Sequence, residues 1–319
     1  MTWNISVFAI ALVVSYLLTP FVRSIAVKLN IMVQPGGRRV HSRPMPLWGG
    51  IAIFAAFSIA CLIISKIGGS ALNPSVPMIG VIVSGALILT VGLLDDIKEL
   101  SAGVQALAIV TAALILTTFG VKIQFLSNPF GHPPMFILGS VVSIFITVVW
   151  VFAVTKTIDF MDGLDGLAAG IGAIAAGILA IMAYYSKQPN VALMAAALSG
   201  ACIGFLRFNF NPAKIFMGTG GSQFIGFALA AISIIGAFKV AAAMAIALPI
   251  LVFGVPILDG AFVIFKRILN RQPVHIADKS HLHHRLLEKG LSHKQVVLVI
   301  YAMCIVLGGA ALVLLLLTR

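Results

Sequence analysis

Three carboxylates, Asp159, Asp162 and Asp165, recur at every third position in the stretch from Thr155 to Ala168. Acids at that spacing line one side of a helix end or tight turn. The stretch lies between two long apolar runs, in a chain where acids are scarce. Three anions gathered at the foot of two membrane spans call for a counter-charge, and a divalent metal on a phosphate ligand supplies one. The alternative is a solvated connection with no chemistry. A second acidic pair, Asp95 and Asp96, closes another apolar run with no residue between. Adjacent like charges at a helix C-terminus repel each other and oppose the helix dipole, so a cation is expected there too, either Lys98 or a metal.

Further on, Gly218, Gly220 and Gly221 precede a span beside Asn209, Thr219 and Ser222. Such a backbone can approach a phosphate closely, with helix N–H groups behind it, although helix-entry packing explains the same glycines. Near the C-terminal end, His281, His283, His284 and Arg285 stand together. Phosphate or ribose contacts fit this run better than zinc, because no cysteine or acid completes a tetrahedral set. The glycine- and proline-rich stretch from Gln34 to Gly50 carries Arg38, Arg39, His41 and Arg43, which offer donors to phosphate oxygens or simply hold the loop inside. Asp259 sits with Pro256 inside an apolar run, which implies a broken helix and a functional intramembrane acid.

The elements that must position these residues are membrane helices. The 319 residues are 61% hydrophobic and 9% charged, whereas a soluble domain carries roughly 25% charged residues. The expected fold is an all-α, polytopic bundle, a single integral-membrane domain over 1–319. It has about ten spans near 5–24, 47–65, 76–94, 103–121, 135–154, 166–185, 191–206, 222–237, 241–267 and 295–317, the ninth broken. The first run reads as a retained span, since it has no basic n-region and no cleavage site. Cys61, Cys202 and Cys304 fall inside apolar runs and read as core residues. Pro129 to Pro134 reads as a turn.

The net charge of +12 reflects loops on one face rather than nucleic-acid binding. Most Lys and Arg lie after the odd-numbered spans, and all 9 carboxylates and every histidine but His132 lie there or at the adjoining helix ends. The positive-inside rule puts that face in the cytoplasm. It does not require acids to follow the bases; a chemical site for an anionic substrate does.

Taken in order, the five loops resemble those of the polyprenyl-phosphate N-acetylhexosamine-1-phosphate transferases. The likeness runs from Arg38-Arg39-Val40-His41 to His281-Leu282-His283-His284-Arg285, and that final motif is similar to the branch acting on UDP-N-acetylglucosamine. The resemblance implies attack of undecaprenyl phosphate on the β-phosphate of a UDP-N-acetylhexosamine. The products would be a lipid-diphosphate-sugar and UMP, at the cytoplasmic face of the bacterial inner membrane. Magnesium would be the cofactor, with manganese as a substitute, and a homodimer is allowed. Asp95 and Asp96 would act on the lipid phosphate. Asp162 and Asp165 would lie near the nucleotide, and the histidines would close its site.

Three departures matter. Lys156 and Asp159 stand where the resemblance expects asparagines, Thr219 where it expects an aspartate, and Val33 where an aspartate is common. The resemblance assigns the metal to positions 159 and 219. A compensated swap follows as an expectation, with Asp159 supplying the carboxylate and Thr219 the neutral oxygen, and Lys156 beside the substrate. Asp259 is expected near a groove for the prenyl chain. A divergent member using another UDP-sugar, phospho-N-acetylmuramoyl-pentapeptide included, is the nearest rival. A transporter or a scaffold would lack the acids gathered at one face.

Overall fold

The computed structural model describes residues 2–34, 44–67, 75–127, 135–236, 247–269 and 281–317. It is mostly helical. Eight helices are long and apolar enough to cross a membrane: α1 (Thr2–Lys28), α2 (Gly50–Ile67), α3 (Val76–Lys98), α5 (Ser140–Phe160), α6 (Leu167–Tyr185), α7 (Pro189–Asn209), α8 (Gly218–Ile235) and α12 (His293–Leu317). The fourth expected span is the shorter α4 (Ala102–Thr118). Where the ninth was expected, two helices occur, α9 (Ala247–Val252) and α10 (Gly254–Leu269), with Phe253 between them. A short helix, α11 (Leu282–Glu288), carries the histidine run.

Two small antiparallel ladders were not expected from the sequence. Met32–Val33 (β1) pairs with Met45–Pro46 (β2), and Phe125–Ser127 (β3) with Met135–Ile137 (β4). The turn expected over Pro129 to Pro134 lies outside the described residues, as do Arg38, Arg39, His41 and Arg43.

The bundle is organised around α8, which is almost entirely buried. Small residues let its backbone approach its neighbours where larger ones would hold them apart. A Cβ at Gly92 of α3 would collide with the backbone of Gly220, and one at Gly50 of α2 with that of Gly221. Gly226 lies against the backbone of Thr155 in α5. One helix thus fixes α2, α3 and α5 relative to one another. Two of these, α3 and α5, end in acids.

The glycines of the Met217–Ser222 stretch therefore lie inside the first turns of α8 rather than ahead of it, and Gly220 and Gly221 serve helix contact. The outer helices α1 and α12 carry many exposed apolar side chains, including Leu17, Phe21, Val306 and Leu317. That is the expected surface of a bundle solvated by lipid. Cys61, Cys202 and Cys304 are buried and free, as the apolar runs around them suggested.

Candidate active site

Where helices end decides where the acids go. α3 stops at Glu99, whose left-handed backbone (φ 48°) turns the chain and sends its N–H back to the Asp95 carbonyl. Two residues on, Ser101 caps α4 by accepting from the Val104 N–H. This tight reversal returns Gln105 to Asp95. Asp95 Oδ1 accepts from Gln105 Nε2 at 3.0 Å and from the Leu100 N–H at 2.8 Å. These donors, and not the exposed Lys98, satisfy Asp95. Its neighbour Asp96 points at the start of α8. There Oδ1 accepts the Thr219 N–H at 2.9 Å, while the buried Oδ2 has no hydrogen-bond partner.

The second set of acids follows α5. Asp159 lies in its last turn, and the chain reverses through Met161 to Gly166 before α6 begins. Gly166 has φ +80°, a conformation costly for other residues, and caps α6. Asn209, at the end of α7, braces this turn. Its Oδ1 accepts the Gly166 N–H at 3.1 Å and its Nδ2 donates to the Ile215 carbonyl at 3.0 Å. Asn209 was expected to bind substrate; it lines the same cavity as the acids, with its amide engaged in holding the loop. Tyr301 of α12 adds a third brace, donating to the Gly166 carbonyl at 2.5 Å. Asp165 Oδ2 accepts from Asn211 Nδ2 and from the Ala213 N–H, both at 3.0 Å.

Asp159 is densely partnered. Its Oδ1 accepts the Ser222 hydroxyl at 2.6 Å. Its Oδ2 lies 2.8 Å from Lys156 Nζ and 3.2 Å from Gln223 Nε2. Lys156 also donates to Gln105 Oε1 at 2.9 Å, so a continuous polar chain links Asp159 to Asp95. Asp162 presents the opposite situation. Lost hydration and then the negative charges of Asp159, Asp96 and Asp165 push its carboxyl up to about 8.

All five acids line one cavity of about 1350 Å³, together with Gly218, Thr219 and Ser222. This exceeds the roughly 300–1,000 Å³ of ordinary small-molecule sites. Of the histidine run, His284 lines it. His283 is 1% exposed and packs behind, its ring against Gly163. Burial, then the neighbouring His284 and His281, lowers its pKa to about 3, so it is neutral at working pH. Arg285 stacks over the Phe262 ring at 4.4 Å. Asp259 is 5% exposed and lies 2.7 Å from His281 Nδ1.

Four pocket or network residues escaped the sequence reading: Gln105, Gln223, Asn211 and His293. The first two join the Asp159 chain, Asn211 holds Asp165, and His293 lines the cavity with a buried, unpartnered Nε2.

The sequence profile of glycosyl transferase family 4 matches residues 78–237, which span α3 to α8 and so all five acids. A probable undecaprenyl-phosphate N-acetylglucosaminyl 1-phosphate transferase of Bacillus subtilis is 38% identical over 96% of this chain and 84% of its own length. The chain belongs to glycosyl transferase family 4. The decaprenyl-phosphate N-acetylglucosaminephosphotransferase of Mycolicibacterium smegmatis is 36% identical over 91% of this family 4 chain and 77% of its own. A phospho-N-acetylmuramoyl-pentapeptide-transferase of Listeria welshimeri is 31% identical over 72% and 74%.

Could this family 4 site hold a cation? Among the described residues, no three histidine, cysteine or carboxylate side chains form a ready-made metal cage. Mg²⁺, however, is usually held by one or two carboxylates plus water and substrate phosphate. The unpartnered Asp96 Oδ2 and the charge-crowded Asp162 meet that requirement. Asp159 meets it less well, because Lys156 already balances it. Thr219, the other expected ligand, contributes the backbone N–H that orients Asp96.

Proposed function

We propose that this chain transfers N-acetylglucosamine 1-phosphate from UDP-N-acetylglucosamine to undecaprenyl phosphate, releasing UMP and a lipid-diphosphate-sugar that starts a cell-envelope polysaccharide. The observation that carries the reading is the gathering of Asp95, Asp96, Asp159, Asp162 and Asp165 around one cavity large enough for a nucleotide sugar. The printed activities of the relatives from Bacillus subtilis and Mycolicibacterium smegmatis support the donor and the lipid acceptor. The basic residues that accompany the acids support a cytoplasmic site in a multi-pass protein of the bacterial inner membrane.

The chemistry needs little proton transfer. A phosphate monoester has its second pKa near 6, so the lipid nucleophile is already largely dianionic. The barrier lies in bringing two anions together in line, and catalysis is positioning with charge neutralisation. Magnesium, with manganese as substitute, supplies that neutralisation when bound. Asp96 and Asp162 would hold it. Asp95, fixed by Gln105 and Leu100, orients the lipid phosphate. Lys156 and Asp159 keep that wall neutral and rigid. His284 faces the nucleotide half. The lipid oxygen attacks directly, one phosphoanhydride replaces another, and no covalent enzyme intermediate is required.

Purified protein in nanodiscs with undecaprenyl phosphate, Mg²⁺ and a panel of UDP-sugars tests this. UMP release is expected with UDP-N-acetylglucosamine. Release only with UDP-N-acetylmuramoyl-pentapeptide would favour the second reading, which the Listeria welshimeri relative supports. Release with no UDP-sugar would overturn both.

A further inference from the structure

Asp259 is a buried acid on α10 that the proposed chemistry does not use. α10 is anchored against α5, the helix that carries Asp159: a Cβ at Gly260 would press on the Thr157 side chain. Both oxygens of Asp259 go to the beginning of α11. Oδ2 lies 2.7 Å from His281 Nδ1, and Oδ1 accepts the Leu282 N–H at 2.7 Å. One turn further along α10, the Phe262 ring lies under the Arg285 guanidinium. Residues three apart share a helix face, so α10 grips α11 at two points on one side.

The grip has a consequence at the cavity. His281 and His283 lie with parallel rings, centroids 5.8 Å apart, and His283 meets His284 at 4.3 Å. His283 fits only because Gly163, in the acid-bearing turn, has no side chain. The run Asp259–His281–His283–His284 therefore connects α10 to the cavity wall through packed rings. A buried carboxylate without partners is strongly disfavoured. Among the described residues, the partners of Asp259 both belong to the α11 start, so the docked arrangement is the one that satisfies it.

We propose that Asp259 is a positioning residue for the nucleotide half of the site. It seats α11 so that His284 forms the wall against a nucleoside diphosphate-sugar, and it touches no substrate itself. At 5% exposure, both its oxygens are occupied by the start of α11, so this role differs from the lipid groove expected near it. The inference rests on the transferase reading above for the identity of the ligand, but the seating of α11 does not.

The test uses full-length protein in nanodiscs and two readouts. The first is amide hydrogen exchange, by mass spectrometry, of the peptide covering residues 282–288. The second is steady-state KM for UDP-N-acetylglucosamine and, separately, for undecaprenyl phosphate. In Asp259→Ala, exchange in that peptide should accelerate while exchange in α8 stays as in wild type. KM for the nucleotide sugar should rise on the order of tenfold to a hundredfold, as expected when a binding group is displaced by about 1 Å, with KM for the lipid unchanged. Asp259→Asn keeps an acceptor for the Leu282 N–H and should recover part of the loss. His281→Asn removes the other partner. Combined with Asp259→Asn it should add little, as expected of residues acting as one unit.

Should Asp259→Ala fail to fold, the His281→Asn and Asp259→Asn variants carry the same comparison. Unchanged exchange at 282–288 beside a competent wild type would overturn the inference. So would a rise in KM for the lipid alone, which would return Asp259 to a lipid groove. A wild type that neither binds nor turns over UDP-N-acetylglucosamine would sink the transferase reading and the ligand named here. Faster exchange in the variants would then still support the seating of α11.

Discussion

Acids that line the same cavity are held in opposite ways. On the α5–α8 wall, Asp159 is held by Ser222, Lys156 and Gln223, and its charge is matched by an ammonium at 2.8 Å. By contrast, Asp96, whose other oxygen takes the Thr219 N–H of α8, keeps a buried oxygen with no partner, and Asp162, in the turn after α5, is crowded by three other carboxylates. The difference teaches that acid content alone does not locate a cation. A partnered carboxylate is part of the scaffold, whereas an unpartnered one is where external positive charge stabilises the protein most.

The largest effect should follow Asp96→Asn. It removes the unmatched charge and keeps the shape, so UMP release should fall by about 10²–10³-fold, the range for a group acting on charge in the transition state. Thermal unfolding without metal should not worsen. Near-normal turnover would break the comparison.

Asp159→Asn should come next, with a loss of about tenfold to a hundredfold, because it strands Lys156 near the reacting groups. Adding Lys156→Asn should restore most of that loss. A double variant as inactive as Asp96→Asn would mean that Asp159 is itself the metal ligand, as the sequence suggested. Gly220→Ala should follow. Its Cβ presses on the Leu89 carbonyl at 3.0 Å and the Leu93 nitrogen at 3.3 Å in α3, and moves Thr219 off Asp96, at a cost of about 1–3 kcal/mol for an overpacked contact. Circular-dichroism melts and turnover would both report it.

The smallest effect is on pH. Asp162 is raised from 3.8 to about 8, so between those values the folded state binds more protons than the unfolded chain. Stability of metal-free protein should therefore fall as pH rises from about 4 to about 8. Mg²⁺ or Asp162→Asn should flatten that slope. An unchanged slope in both would show that the other carboxylates do not crowd Asp162.

Much of this site could be read from the sequence because charge is conspicuous in an apolar chain. The five acids, their common face and the spans between them follow from nine carboxylates and hydrophobic run lengths. Gln105 and Gln223 could not be found that way. Neutral amides on helices carry no charge signal, and their 3.2 Å contact joins positions far apart in the chain. Lys156 was visible as a departure, but its pairing with Asp159 needed the last turn of α5. The glycines of α8 were visible too, yet whether they approach a phosphate or a neighbouring helix depends on what faces them. Of the ten expected spans, eight are helices long and apolar enough to cross a membrane, while α4, with 17 residues, and the α9–α10 pair around Phe253 are shorter. Helix length is set there by a tight turn and a break, not by hydropathy.

The most direct test of this contrast between partnered and unpartnered acids is a Mn²⁺ titration of purified protein in nanodiscs, followed by electron paramagnetic resonance with UDP-N-acetylglucosamine present. Binding should persist in the Lys156→Asn, Asp159→Asn double variant and disappear in Asp96→Asn and Asp162→Asn. Loss in the double variant with retention in the other two would contradict the account.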